Sequence, residues 1–390
     1  MFKSLNISQV SAGFIAVLVG YTSSVAIIFQ AGEAAGATPE QMSSWLWALG
    51  IGMGVSSIGL SLWYKKPILT AWSTPGAALL VTSLSGVTMQ EAIGAFLFSS
   101  LLIAVAGFSG WFEKIMKKIP RSLASAMLAG VLLRFGLDAF VSLQTEFLLV
   151  GTMLLVFLVG RFFSPRYAIP LVLLLGLTVA GLQGSLQLDK INWQLAQPVL
   201  IIPEFSWQAM IGVGLPLFVV TMASQNIPGL ATLKANHYDV PISPIIGWTG
   251  LLGIVLAPFG GFAFNLAAIT AAICQGEEAD PNPKNRYIAA VWAGLFYLLT
   301  GVFGATVVIL FTAIPKELVL AIAGLALLGT IANSLADALV DKKERDAAML
   351  TFMITASGIA LFGIGSAFWG LVVGLVVWFL AREKSKVNGG

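Results

Sequence analysis

One cysteine, one histidine and a charged fraction of only 10% leave this 390-residue sequence poor in the groups that enzymes and metal proteins use. Cys274 alone excludes an internal disulfide, and Cys274 with His237 cannot furnish a His/Cys metal site. No metal and no cofactor is therefore expected. A membrane enzyme acting on lipid would need clustered Asp, His or Cys at a membrane face, which these scattered acids do not provide. A net charge of +3 and a pI near 8.9 would suggest nucleic acid in a soluble protein. Here no polar stretch is long enough for a soluble domain, so the basic loops are read as topology signals and no nucleic-acid partner is expected.

What is abundant is apolar: 58% of residues are hydrophobic and the mean hydropathy is +0.91. Apolar runs of about 18 to 25 residues, the length that crosses a bilayer, recur from end to end. The expectation is one membrane domain over residues 1–390, a multi-pass all-α protein. Lys3 leads straight into a full-length apolar run with no small-residue cleavage site, so the first helix is expected to stay in the mature protein. Windows of about 19 residues place fourteen segments near 10–31, 43–63, 68–84, 90–110, 121–140, 146–163, 167–183, 207–231, 243–257, 260–275, 286–311, 317–338, 346–363 and 366–381. With a cytoplasmic N-terminus, the internal loops hold 18 of the 21 basic residues, leaving Arg134, Lys190 and Lys316 elsewhere. That asymmetry puts both termini in the cytoplasm.

The halves echo each other. Ile119-Pro120-Arg121 before an Ala/Gly/Leu-rich helix returns as Ile314-Pro315-Lys316, and the offset from Pro67 to Thr74 matches that from Pro258 to Asn265. An odd number of spans per half requires the second copy to be inverted, so residues 1–190 and 205–390 are expected to form a 7+7 inverted repeat.

The third segment carries a helix start in mid-span, Ala71-Trp72-Ser73-Thr74-Pro75-Gly76. Ser73 or Thr74 suits an N-cap and Pro75 the first helical turn. A proline kink satisfied by nearby hydroxyls is the simpler alternative. The tenth segment has a partner: Gly260-Gly261 and Phe262-Ala263-Phe264-Asn265 read as extended chain running into a cap, with a short helix from Leu266 to Cys274. Two broken half-helices meeting at mid-membrane would line an enclosed cavity, with helix N-termini suited to an anion.

Other polar groups sit inside apolar spans: Tyr21-Thr22-Ser23-Ser24 in the first segment, and Thr221 with Ser224-Gln225-Asn226 in the eighth. The hydroxyls can serve as packing contacts between helices, whereas two adjacent amides point to a cavity wall. Trp72, Phe262 and Phe264 could stack on a planar ligand or simply pack. Acidic residues are absent from the centres of the first, third, eighth and tenth segments. The nearest proton-coupling candidates are Glu33, Asp138, whose spacing four residues after Arg134 equally suits a structural ion pair, and the loop residue His237, for which solvated loop histidine is the plainer reading.

Several stretches resemble a known family: Leu69-Thr70-Ala71-Trp72-Ser73-Thr74-Pro75-Gly76-Ala77-Ala78, Thr221-Met222-Ala223-Ser224-Gln225-Asn226, Ala267 to Gln275, and Thr355-Ala356-Ser357-Gly358 with Gly363 to Gly370. They are similar to the bacterial benzoate/proton symporter (BenE) family over nearly the whole chain. More distantly the layout resembles the nucleobase/ascorbate and sulfate carriers. That wider likeness implies core and gate domains, a site built from the first, third, eighth and tenth segments, and a homodimer through the gate domain. Nucleobase carriers place acids in the eighth and tenth segments, where this chain has Gln225 and Phe264. The departure suits an anion, which a fixed carboxylate would repel.

The resemblance implies import of benzoate or a similar aromatic carboxylate with a proton, by alternating access, in the bacterial inner membrane. Another organic anion, a nucleobase, or an anion channel on the same scaffold are the alternatives. The expected contacts are donors at Ser73, Thr74, Gly76, Asn265 and Leu266, side chains of Ser24, Ser224, Gln225 and Asn226, and ring surface from Trp72 or Phe264.

Overall fold

The computed structural model describes residues 7–110, 120–163, 168–186, 193–277, 279–361 and 364–387. Lys3, Ile119, Lys190 and Gly363, named above, lie outside them. The chain is mostly helical. In order, it forms α1 (Ile7–Ala34), α2 (Pro39–Tyr64), β1 (Thr70–Trp72), α3 (Thr74–Ser83), α4 (Met89–Phe108), α5 (Arg121–Val141), α6 (Phe147–Phe163) and α7 (Ala168–Leu182). Then follow α8 (Trp207–Lys234), α9 (Ile242–Leu256), β2 (Phe264–Leu266), α10 (Ile269–Gln275), α11 (Tyr287–Val302) and α12 (Gly304–Thr312). The remainder is α13 (Lys316–Ala338), α14 (Arg345–Ser357), β3 (Ala360–Leu361), β4 (Ile364–Gly365) and α15 (Ser366–Val387).

Among the described residues, six helices are long and apolar enough to cross a bilayer, and up to eight if each bent pair is one span. Large apolar side chains such as Phe162, Phe163, Leu174 and Leu182 remain exposed, as a lipid-facing surface requires. Inside, α2 packs on α11, α4 on α9, and α5 on α13 and α14. A separate apolar cluster joins α6 and α7 to α13 through Met153, Val172, Leu318 and Ile322.

Local chemistry accounts for the starts and stops. Thr38 and Thr88 make capping boxes with Gln41 and Glu91 at the heads of α2 and α4. Pro120 and Pro315, the echoed prolines, are the N-cap residues of α5 and α13. Four expected segments come out differently. The stretch 286–311 is bent by 65° between α11 and α12, where Gly301 and Gly304 bring both pieces onto the backbone of α2. The stretch 346–363 stops being helical at Ser357, because Gly358 takes a left-handed conformation at φ 67°. The third and tenth segments are broken as expected, with extended chain before Asn265, but the expectation misses that they pair as a two-stranded antiparallel ribbon.

In that ribbon Thr70 faces Leu266, Ala71 faces Asn265 and Trp72 faces Phe264. The amide of Ala267 extends the pairing to the Leu69 carbonyl at 2.9 Å. Broken backbone inside an apolar protein must find partners, and each break supplies them to the other. Buried hydroxyls on α2 then fix β1: Thr70 Oγ1 lies 2.6 Å from Ser56 Oγ and 2.9 Å from Ser57 Oγ, and it donates to the Met53 carbonyl.

The approach to β2 depends on Gly260. Its φ of 91° is left-handed, and an added Cβ would lie 1.7 Å from Trp45 Cδ1.

Candidate functional site

Ser73 caps α3 as expected, accepting the Gly76 amide at 3.0 Å, with Pro75 in the first turn. The tenth segment departs from expectation. Asn265 is not an N-cap; it lies in β2, and α10 starts at Ile269 with Ala268 in the cap position and no side-chain cap. The reason is local. Ala263 is held in a left-handed conformation at φ 48°, and Asn265 Nδ2 binds its carbonyl at 2.9 Å, so this amide serves the turn before the strand.

The eighth segment is one long helix interrupted by π-helical turns at Met210–Gly214 and Met222–Asn226. Pro216 and Pro228 follow them closely. Proline cannot donate to the carbonyl four residues back and clashes with it, and a widened turn relieves the clash. For Pro228 that carbonyl belongs to Ser224, so the irregularity falls on Ser224-Gln225-Asn226. Asn226 is fully buried and its Oδ1 accepts the Leu266 amide at 3.0 Å. Gly229 permits this closeness: a Cβ there would lie 2.5 Å from that of Leu266.

Around these elements lies a cavity of about 780 Å³, within the range of about 300–1,000 Å³ usual for small-molecule sites. Gly20 and Ser24 of α1, Trp72, Thr74 and Pro75 of the third segment, and Ser224, Gln225 and Pro228 of α8 form much of its wall. Ala268 and Thr270 line it from the tenth segment and Glu277 from just beyond its end, and Ile169, Tyr297, Ala326 and Leu327 come from α7, α11 and α13. Among the described residues, no Lys, Arg or His lines it. The indole of Trp72 is fixed: Nε1 donates to Ser24 Oγ at 2.8 Å, Ser24 Oγ donates to the Gly20 carbonyl at 2.7 Å, and the Tyr21 ring sits 5.1 Å away.

Of the expected contacts, the structure therefore gathers Ser24, Trp72, Thr74, Ser224 and Gln225 on one cavity. Ser73, Gly76, Asn226, Phe264, Asn265 and Leu266 are buried behind the wall, off its lining. The Leu266 amide is already engaged by Asn226, and Phe264 packs against Gly52 and Gly253. Glu33 and His237 are exposed and Asp138 is half-buried; none of the three lines this cavity.

Sequence reasoning missed Tyr297 and Glu277. Tyr297 Oη and Thr270 Cγ2 both come within 3.2 Å of the place where a Gly20 Cβ would sit, and Glu277 follows the end of α10. A tyrosine amid leucines and an acid just beyond a span were the available signals.

A second cavity of about 610 Å³ shares Ser224 and Pro228 with the first. It runs between α5, at Arg121, Ser122 and Ser125, and α13, at Asn333, Ser334 and Asp337. Its far edge holds Glu344, whose carboxylate accepts from Ser122 Oγ at 2.6 Å and Trp378 Nε1 at 2.7 Å. Outside the spans, burial pushes the Tyr238 phenol up, with the neighbouring Arg286 acting in the opposite sense.

Paired broken segments crossing beside a partly polar cavity, in a helical body with an apolar exterior, define a multi-pass membrane transporter. Its fold matches the transmembrane domain of a cyanobacterial bicarbonate transporter, BicA, with a TM-score of 0.64 at 13% identity, covering 96% of this chain and 98% of that one. It also matches the murine Slc26a9 anion transporter in its inward-facing state, with a TM-score of 0.59 at 14% identity, covering 99% and 69%. The family model for the benzoate membrane transport protein, BenE, matches residues 3–380, and the chain belongs to that family. Among its relatives, the inner membrane protein YdcO of Escherichia coli is 52% identical over 94% of each chain. The benzoate membrane transport protein of Acinetobacter baylyi is 42% identical, over 96% of this chain and 95% of its own.

Proposed function

We propose that this protein imports benzoate or a similar aromatic carboxylate together with a proton, by alternating access in a bacterial inner membrane. The observation that carries the reading is the cavity itself. It combines a fixed aromatic wall at Trp72 with donors at Thr74, Ser224 and Gln225, and its described lining holds a carboxylate at Glu277 and no basic side chain. The ring would lie against the indole while amide and hydroxyl groups receive the carboxylate. Ser73, Gly76, Asn226, Phe264, Asn265 and Leu266 would hold that wall in place.

The absence of a fixed cation from the described lining bears on coupling. An aromatic acid with a pKa of about 4 is ionised at neutral pH. Moving that anion inward alone opposes a negative-inside potential by about 2.3 kcal/mol per 100 mV, and co-entry with one proton removes the opposition. Glu277, the carboxylate among the described lining residues, is the proton-handling group we put forward ahead of Glu33, Asp138 and His237.

The reading includes fourteen spans in a 7+7 inverted repeat over residues 1–190 and 205–390, with both termini cytoplasmic. The first four and the eighth to eleventh segments would form the core, and the others the gate through which two copies pair. The second cavity then opens between core and gate on the cytoplasmic side, as a route for release past Ser224 and Pro228. Equilibrium binding tests the ligand: saturable benzoate binding, displaced weakly by nucleobases and dicarboxylates, supports it, and preference for either competitor redirects the substrate.

A further inference from the structure

The loop between α10 and α11 holds a buried cation for which the transport reading has no role. Arg286 is only 7% exposed and Asp280 5%. A guanidinium so placed is costly unless its donors are engaged. Arg286 Nε donates to the Asp280 carbonyl at 2.7 Å, and Nη1 donates to the carbonyl of Gln275, the last residue of α10, at 2.9 Å. A cation on the last-turn carbonyls complements a helix C-terminus.

From there the hydrogen bonds spread. The Asp280 carboxylate accepts from Gln9 Nε2, in the first turn of α1, at 2.7 Å. Gln275, fully buried, donates from Nε2 to the Pro67 carbonyl at 3.2 Å, just ahead of β1. Its Oε1 accepts from Asn236 Nδ2, directly beyond α8, at 3.2 Å. One connected network thus reaches α1, the chain entering β1, the end of α8 and α10. Those four stretches deliver Ser24, Trp72, Gln225 and Thr270 to the large cavity, yet Gln9, Asn236, Gln275, Asp280 and Arg286 do not line it.

We infer that Arg286 is a positioning residue. It clamps the four cavity-bearing stretches at one end, so that they keep their mutual register and move as one unit. The fork of the guanidinium is what the arrangement uses, since it serves two carbonyls at once; a lysine ammonium on a flexible stem is not pre-organised to do so. The clamp stands on the hydrogen bonds, and only its effect on the ligand rests on the proposed function.

Hydrogen–deuterium exchange on the full-length protein, with and without benzoate, tests it in wild type, Arg286→Gln and Arg286→Lys. Losing hydrogen bonds from a charged group corresponds to roughly tenfold or more in local opening. Arg286→Gln is expected to speed exchange by about that factor at the start of α1, before β1, at the end of α8 and in α10 together, with Arg286→Lys intermediate. Faster exchange confined to residues 275–286 would overturn the clamp. Benzoate is expected to slow exchange around the cavity in wild type and to lose that effect in Arg286→Gln; full protection retained in the variant overturns the positioning role. A wild type that ignores benzoate removes the ligand reading and leaves the four-stretch coupling to decide the clamp. Should Arg286→Gln not fold, Arg286→Lys and Gln9→Leu carry the same comparison.

Discussion

Asn226 Oδ1 accepts the backbone amide of Leu266 at 3.0 Å, tying the π-helical turn of α8 to the strand of the tenth segment. Both residues are buried, so Asn226→Ala leaves that amide without its partner at a cost of about 1–3 kcal/mol. Thermal unfolding in detergent should show a lower midpoint than wild type. Benzoate affinity should fall as well, because the strand and the turn lose their common reference. An unchanged midpoint would show that the amide finds another acceptor.

Gln225, the neighbour of Asn226, lines the cavity and is not needed to hold the strand. Gln225→Ala should therefore fold with an unchanged midpoint and bind benzoate about 10- to 100-fold more weakly, the span of one hydrogen bond to a charged group. Unchanged binding would remove Gln225 from the site.

Trp72 should respond to its hydrogen-bond partner. In Ser24→Ala the indole N–H loses its acceptor, so the ring is no longer fixed against Tyr21. Selectivity for an aromatic over an aliphatic acid of similar size should drop in Ser24→Ala and drop further in Trp72→Ala. Equal selectivity in all three proteins would place the ring elsewhere in the cavity.

Glu277→Gln addresses coupling. Counterflow of benzoate needs no net proton movement and should persist, whereas uptake driven by an imposed pH gradient should be lost. A variant still driven by the gradient would shift the proton to another group.

Gly260→Ala should fail structurally, because a Cβ meets the Trp45 ring in a left-handed backbone. Folded yield, followed by size exclusion in detergent, is the measurement; a well-folded variant would mean that Trp45 can move.

Much of this was legible in the sequence because it follows local rules. The Ser73 cap with Pro75, the apolar runs and the amide pair at Gln225-Asn226 announce themselves within a few residues. The misreadings have a common cause. Asn265 was expected to cap a helix because asparagine does so often, but its partner is the strained carbonyl of Ala263, a geometry that only the folded turn creates. The β1–β2 ribbon joins residues nearly two hundred positions apart, and no short pattern marks such pairing. Arg286, which looks like one more basic loop residue setting topology, turns out to be buried against carbonyls. Gln225 and Asn226, adjacent in sequence, also separate in role, since one lines the cavity and the other holds its wall.

The central claim is proton-coupled entry of an aromatic carboxylate. It is tested most directly by radiolabelled benzoate uptake into proteoliposomes of the purified protein, with a pH gradient, acid outside, imposed or collapsed. The account requires accumulation above equilibrium under the gradient and its loss when a protonophore collapses it. Uptake of equal extent with and without the gradient would contradict it.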